Sequence, residues 1–238
     1  MKKLAIFVEG QTEQLFVDKL ISEIAGKNSI VIEKRKITGR NRSIYQWMRL
    51  YASNTEQGHG FFVLIFDCSG YSTVKSDIRD NYGSLVSNGY SAIIGIRDVF
   101  PEVKYADIGK LRSGLNYGLK TNPICVLFAL GVMEIETWFI CEHTHFARVN
   151  SALTTAYIKA NLGFDPSVDD IQLRPNPSVD LDAIYKLVGM RYKKDYHRIH
   201  RILDQLDYLL LYLDIRQRLP DLNILIESID TFLAPLSI

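Results

Sequence analysis

The feature of this sequence that most constrains its fold is a series of short, wholly apolar runs that each lead into a carboxylate. Residues 4–8 and 61–66 are apolar throughout, and Glu9 and Asp67 follow them directly. Short apolar runs rich in β-branched and aromatic residues are typical of buried strands. The two runs therefore predict strands that end at an acidic residue.

Two later runs repeat this arrangement. Residues 92–96 lead into Arg97 and Asp98, and residues 124–129 are followed a few positions later by Glu134 and Glu136. Between the first strands, the apolar spacing over residues 12–25 predicts a helix that ends near Gly26. Strands that alternate with helices indicate an α/β domain with a mostly parallel sheet flanked by helices.

The remaining pattern predicts further elements and a change of character along the chain. Residues 30–32 predict a weaker strand, and the apolar spacing from Ser43 to Ala52 predicts a helix. Beyond about residue 145 the character changes, and Pro166, Pro175 and Pro177 fall in a polar, Asp-rich stretch that is typical of a linker or an irregular segment. From Asp180 onward the pattern is helical, with a long apolar stripe over residues 199–213. We expect an α/β domain over residues 1–145 and a helical extension over residues 146–238 packed on it.

Composition excludes several classes of protein. Three separated cysteines among 238 residues cannot form a disulfide framework, and they form no zinc-binding pair. No apolar run approaches the roughly 20 residues needed to span a bilayer, and the first apolar run ends too soon for a signal peptide. We expect a cytoplasmic protein with no membrane partner. A net charge of +1 means that any nucleic-acid surface must be local.

The strand-ending carboxylates predict a metal site. The carboxyl ends of parallel strands line up along one edge of a sheet, so these acids should meet there. Clustered carboxylates raise one another's pKa values, and a divalent ion relieves that conflict. An oxygen-only set suits Mg²⁺ or Mn²⁺, which can polarise a phosphate and generate a hydroxide nucleophile. The alternative for each single acid is a helix cap or a solvated loop residue.

Four segments also carry a family resemblance. The segment Phe-Val-Glu-Gly-Gln-Thr-Glu at residues 7–13 resembles the opening motif of TOPRIM domains, in the form found in the nuclease half of OLD-family proteins. Residues 66–70 resemble the Asp-x-Asp strand of these domains, except that Ser69 stands where the second aspartate is usual. Residues 96–98 and 133–138 resemble further motifs of small TOPRIM-like proteins, which are often encoded beside an ABC-type or AAA-type ATPase in phage-defence loci.

The resemblance implies a TOPRIM, Rossmann-like fold and one or two Mg²⁺ or Mn²⁺ ions. The residues that it implies as metal ligands are Glu9, Glu13, Asp67, Asp98, Glu134 and Glu136. Glu9 and Asp67 would also be catalytic. The serine at position 69 contributes no charge, although its hydroxyl could hydrogen-bond a water on the metal.

Two basic segments are candidates for nucleic-acid contacts. Residues 191–201 interleave basic and aromatic side chains, which can neutralise phosphates and stack on bases. The candidate contacts in the two segments are Arg191, Lys193 and Arg198, with Arg40 and Arg42 in the stretch over residues 34–49. The resemblance implies a late catalytic lysine, for which the Tyr-x-Lys spacing favours Lys194 over Lys193, with His197 close behind. A solvated helix face is the alternative for residues 191–201, and a solvated loop is the alternative for residues 34–49.

These observations lead to one expected function and two alternatives. We expect a metal-dependent nuclease that acts on DNA or RNA as an effector in phage defence, together with a partner ATPase or as a homo-oligomer. The first alternative is a non-catalytic binding or assembly subunit that keeps the TOPRIM fold, which Ser69 favours. The second is nucleotidyl transfer as in primases, for which the chain shows no zinc ribbon or polymerase domain.

Overall fold

Strands and helices alternate over the first part of the chain, except that three strands follow one another between the first and second helices. The computed structural model describes residues 1–38, 46–52, 60–70 and 73–234, and for residues 38 and 46–52 it describes the backbone alone. The strands in this part of the chain are β1 (Lys2–Val8), β2 (Ile30–Thr38), β3 (Gln46–Ala52), β4 (Phe61–Asp67), β5 (Ala92–Asp98) and β6 (Cys125–Gly131).

The first helices connect the strands, and the later ones follow the sheet in sequence. They are α1 (Gln11–Ala25), α2 (Thr73–Ser87), α3 (Ile108–Asn116), α4 (Glu136–Cys141), α5 (His145–Val149), α6 (Thr155–Leu162), α7 (Pro177–Lys186), α8 (Tyr196–Leu203), α9 (Tyr208–Leu210), α10 (Arg216–Arg218) and α11 (Pro220–Leu233). A π-helical turn, Leu211–Ile215, joins α9 to α10. No described helix is long and apolar enough to cross a membrane.

Contacts within the chain define two compact units. Unit 1 holds residues 1–97, 112–129 and 224–238, and unit 2 holds residues 98–111 and 130–223. These limits differ from the expected division at residue 145, and the two-domain organisation expected from the sequence stays a prediction. Strand β5 crosses the limit at its carboxyl end, so that Asp98 belongs to unit 2.

One mostly parallel sheet organises unit 1. Among the described residues it has six strands in the order β3-β2-β4-β1-β5-β6, of which five are parallel and β3 is the antiparallel edge strand. The arrangement is α/β and consistent with a Rossmann-like fold. The chain leaves β1 toward β2 on one side and leaves β5 toward β6 on the other. The carboxyl end of β1 is therefore a topological switch point, where open α/β sheets bind their ligands.

The centre of the sheet is buried on both faces. All residues of β1 from Leu4 to Val8 are buried, although successive side chains of a strand point to opposite faces. Helix α1 packs against β1, β2 and β4, and α2 packs against β1. The fully apolar pattern of the first strand follows from this coverage.

The prediction of a helix from Ser43 to Ala52 was wrong for the residues in this range that the structure describes. Residues Gln46–Ala52 form β3, which pairs antiparallel with β2 from Thr38↔Gln46 to Glu33↔Ala52. The helical spacing of apolar residues in this short window is outweighed by backbone pairing with β2. Long-range pairing of this kind leaves no mark in the local sequence.

Unit 2 buries its short helices around aromatic side chains. Every residue of α4 is buried, and this helix packs against α7. Trp138, Phe139, Phe146 and Tyr185 are at most 1% exposed. The long stripe expected over residues 199–213 is divided, because α8 ends at Leu203 and the next helix begins after Asp207.

We expect Gly95→Ala in β5 to destabilise the protein by about 1–3 kcal/mol, because added volume in a packed core forces rearrangement. A Cβ at this position would lie 2.5 Å from the ring of Phe128 and 3.0 Å from Ile78. Gly83→Ala on the open surface of α2 is the control, where a Cβ meets nothing within 4 Å. There we expect a gain of about 0.5–1 kcal/mol from helix propensity. Urea unfolding measures both, and equal stabilities would contradict the packing account.

Candidate metal centre

Unit 1 buries three of the expected metal ligands. Glu9, Glu13 and Asp67 keep 7%, 4% and 1% of their surface exposed. The Glu13 carboxylate lies against Gly10, where an added Cβ would be 3.3 Å from Oε2. A glycine at position 10 leaves room for that carboxylate. Burial of three carboxylates in one unit is costly unless hydrogen bonds or cations compensate.

Backbone hydrogen bonds hold the ends of β1 and β4 together. Val8 is paired with Asp67 in the parallel register. Beyond this pair, the Cys68 amide donates to the Val8 carbonyl at 2.9 Å, and the Gly70 amide donates to the Glu9 carbonyl at 3.0 Å. The two acidic positions that end these strands are therefore neighbours at the sheet edge, as the sequence predicted for this pair.

A serine and a lysine contact the two carboxylate oxygens of Asp67. The Ser69 amide donates to Asp67 Oδ1 at 2.8 Å, and the Ser69 hydroxyl lies 3.3 Å from both this oxygen and the Ile37 carbonyl. Lys36 Nζ lies 3.3 Å from Asp67 Oδ2. Ser69 has a left-handed backbone, with φ at +54°. It thus turns its hydroxyl toward Asp67, where a second aspartate would add like charge.

A further buried carboxylate, Asp77, was missed by the sequence reasoning. Burial raises the pKa of the Cys68 thiol well above its usual value, and the nearby charges of Asp77, Asp67 and Glu9 raise it further. Asp77 itself is 4% exposed. It shares the buried face of α2 with Val74, three positions earlier, and an acid at helical spacing from buried apolar residues was the available signal.

In unit 2, Asp98 holds a turn together. Its Oδ1 accepts a hydrogen bond from the Ile135 amide at 2.8 Å. A Cβ on Gly131 would overlap this oxygen, so the close approach requires glycine there. Asp98 therefore ties the end of β5 to the loop that leads into α4.

The Glu134 carboxylate accepts hydrogen bonds from the first turn of α7. The Ser178 amide donates to its Oε2 at 2.7 Å and the Ser178 hydroxyl donates to its Oε1 at 2.9 Å. A carboxylate at a helix N-terminus satisfies amides that have no partner within the helix, and it interacts favourably with the helix dipole. The Asn-Pro-Ser sequence at the start of α7 is a helix-start signal, but it does not reveal which acid Ser178 contacts.

Glu136 is the most buried of the expected ligands. It has no exposed surface, and the Tyr192 hydroxyl donates to its Oε1 at 2.5 Å. Its other oxygen, Oε2, is buried and has no hydrogen-bond partner among the described residues. Burial raises the pKa of Glu136, the Lys194 ammonium opposes that shift, and the Glu134 charge adds to it.

Lys194 lies against both glutamates. Its Nζ is 3.1 Å from Glu136 Oε1 and 3.5 Å from Glu134 Oε1, while 43% of its side chain remains exposed. The structure therefore brings Lys194 together with two of the expected ligands. The Tyr-x-Lys spacing has a physical meaning here, because Tyr192 and Lys194 both reach Glu136 from the segment before α8.

The other basic candidates of unit 2 are partly engaged in structural ion pairs. Arg191 Nε lies 3.0 Å from Asp182 Oδ1, and Arg198 Nη1 lies 3.2 Å from Asp195 Oδ2. Lys193 is exposed. A nucleic acid could contact Arg191 and Arg198 by sharing or displacing these carboxylates, and it could contact Lys193 at the exposed surface.

One described candidate, His197, is not joined to the carboxylates. His197 is exposed on the first turn of α8 and makes an edge contact with the Tyr196 ring at 5.6 Å. Among the described residues, no hydrogen bond links His197 to Glu134 or Glu136, and its catalytic role stays a prediction. Arg40 and Arg42 lie outside the described residues.

The donor chemistry fits a hard divalent cation. No group of three or more His, Cys, Asp or Glu side chains is arranged to hold a metal within the described ranges. Magnesium, however, is commonly bound by one or two carboxylates and completes its shell with water and substrate phosphates. Glu134 and Glu136 form such a pair, with the Lys194 ammonium beside them as a stand-in cation and with an unsatisfied oxygen on Glu136.

Comparison of the chain with protein-family models, curated proteins and solved structures finds no match. The family resemblance of the four segments therefore stays a prediction.

We expect Tyr192→Phe to lower the free energy of unfolding by about 1–3 kcal/mol, because Glu136 would lose a hydrogen bond to a buried charge. Tyr196→Phe, which removes a hydroxyl from a half-exposed side chain, is the matched control and should change stability by less than about 0.5 kcal/mol. Urea denaturation at neutral pH measures both. A Tyr192→Phe protein as stable as the control variant would show that the hydroxyl does not support Glu136.

Proposed function

We propose that this chain is a Mg²⁺- or Mn²⁺-dependent phosphodiesterase of TOPRIM type that hydrolyses nucleic acid. The observation that supports the proposal best is the pair of buried carboxylates, Glu9 and Asp67, at the adjoining carboxyl ends of β1 and β4. Glu9 follows β1, whose carboxyl end is at the topological switch point of the sheet, where such folds place their ligands, and Asp67 ends the neighbouring strand. Their oxygen donors are those that magnesium and manganese prefer.

The proposed ligands belong to both units. Glu9, Glu13 and Asp67 would act in unit 1, and Asp98, Glu134 and Glu136 would act in unit 2. A bound divalent ion would polarise a phosphodiester oxygen and offset the negative charge that develops during hydrolysis.

The residues around these carboxylates would orient them. Ser69 holds one oxygen of Asp67, and Tyr192 holds one oxygen of Glu136, so each carboxylate keeps a defined direction. Groups that orient ligands contribute measurably to metal affinity, because they fix the ligand's geometry before the ion binds. Lys194, half exposed beside the glutamates, would offset charge on the scissile phosphate.

The proposed substrate is nucleic acid, contacted by the basic segment over residues 191–201. With a net charge of +1, the chain has little general attraction for a polyanion. A partner ATPase or self-association would then supply further contacts, in the phage-defence role that the resemblance implies.

A non-catalytic binding or assembly subunit is the second candidate. The observation that favours it is that lysines already neutralise the acids, with Lys36 on Asp67 and Lys194 on Glu134 and Glu136. A protein of this kind would keep the fold and would not bind divalent ions. Calorimetry with Mn²⁺ near neutral pH distinguishes the two candidates.

The proposal predicts that Glu9→Gln loses metal-dependent cleavage. Because residues that merely orient a ligand contribute about 10- to 100-fold, loss of a direct ligand should lower the rate by more than about 100-fold. Plasmid DNA, single-stranded DNA and total tRNA, each with Mg²⁺ or Mn²⁺, are the substrates to compare.

Glu23→Gln is the matched control, because Glu23 lies on the exposed face of α1 near its end. It should cleave like the wild type. Cleavage by a folded Glu9→Gln protein at the wild-type rate would remove Glu9 from the site. Cleavage that survives complete removal of divalent ions would overturn the metal mechanism.

A further inference from the structure

Glu134, Glu136 and Lys194 form a cluster whose charge is only half compensated. Within the part of the chain that the structure describes, two carboxylates face one ammonium, which lies 3.1 Å from Glu136 Oε1 and 3.5 Å from Glu134 Oε1. Glu136 is fully buried, and its Oε2 has no hydrogen-bond partner among the described residues. A buried carboxylate oxygen without a partner is costly, so the cluster has an unmet preference for a second positive charge.

An ammonium and a divalent ion are alternative occupants of such a cluster. Lysine supplies one charge and three donors on a flexible stem. A divalent ion supplies two charges and can take up more carboxylate oxygens at once. With two carboxylates available, the ion would neutralise the cluster completely, whereas the lysine leaves one negative charge.

Lys194 is positioned so that it can leave. Its side chain is 43% exposed, and it belongs to the irregular segment between α7 and α8. The neighbouring contacts do not depend on it, because Ser178 holds Glu134 and Tyr192 holds Glu136 through their own hydrogen bonds. The two carboxylates therefore keep their supports when the ammonium moves away.

We propose that the Lys194 ammonium occupies a divalent-cation position between Glu134 and Glu136, and that metal binding there displaces it into solvent. Metal and Lys194 thus compete for the same carboxylates. This inference rests on the proposed function, because it assumes that these glutamates take the catalytic ion. It adds that the lysine is released to the substrate phosphate only after the metal is bound.

Calorimetric titration with Mn²⁺ tests the competition. Lys194→Met keeps the length of the side chain and removes its charge, and it should bind Mn²⁺ at least about tenfold more tightly than the wild type, because removal of an adjacent positive charge favours a cation. Lys193→Met, at the exposed neighbouring position, is the control and should bind within about twofold of the wild type. Adding Glu136→Gln to Lys194→Met should abolish the gain.

A second measurement uses the unaltered protein and does not depend on the folding of a variant. Amine-selective chemical labelling, read by mass spectrometry, reports the accessibility of each lysine with and without Mn²⁺. Labelling of Lys194 should rise when Mn²⁺ is added, while labelling of Lys193 should not change.

The outcomes separate this inference from the proposed function. If Mn²⁺ binds equally to the wild type and to Lys194→Met, or if it binds without exposing Lys194, the inference is overturned and the proposed function stands. If neither protein binds Mn²⁺, the metal-dependent function and the inference fall together.

Discussion

Both units must stabilise buried carboxylates, which lose their hydration when the chain folds. A buried carboxylate is stable only where hydrogen bonds or cations replace the lost water. In unit 1, Asp67 meets the Ser69 amide and the Lys36 ammonium. In unit 2, Tyr192 and Lys194 converge on Glu136. The loops and segments that supply these partners are thereby fixed around the acids.

Much of the fold follows from local sequence. The apolar runs that end at Glu9 and Asp67 became β1 and β4, since a wholly apolar run suits a strand covered on both faces. Two features could not be read in this way. Strand β3 depends on pairing with β2, and the helical stripe over residues 199–213 is interrupted where the Asp207 side chain caps a new helix. In each case, a contact outweighs the periodicity of a short window.

The sequence predicted the acidic residues of the candidate site better than it predicted the residues that hydrogen-bond to them. Glu134 and Glu136 were expected as metal ligands and Lys194 as a catalytic residue, and the structure places Lys194 in contact with both glutamates. Ser178 and Tyr192 reach the same acids from 44 and 56 positions away along the chain. Sequence identifies residues able to hold a metal more readily than the hydrogen bonds that orient them, because those bonds depend on how distant segments pack.

The central claim is that these buried carboxylates hold a divalent ion, and diffraction from crystals grown with Mn²⁺ tests it most directly. Anomalous scattering locates manganese without reference to activity or to a partner protein. The account predicts a manganese peak at coordination distance from carboxylate oxygens of Glu9 and Asp67 or of Glu134 and Glu136. Well-diffracting crystals with saturating Mn²⁺ and no peak at any of these four side chains would contradict it.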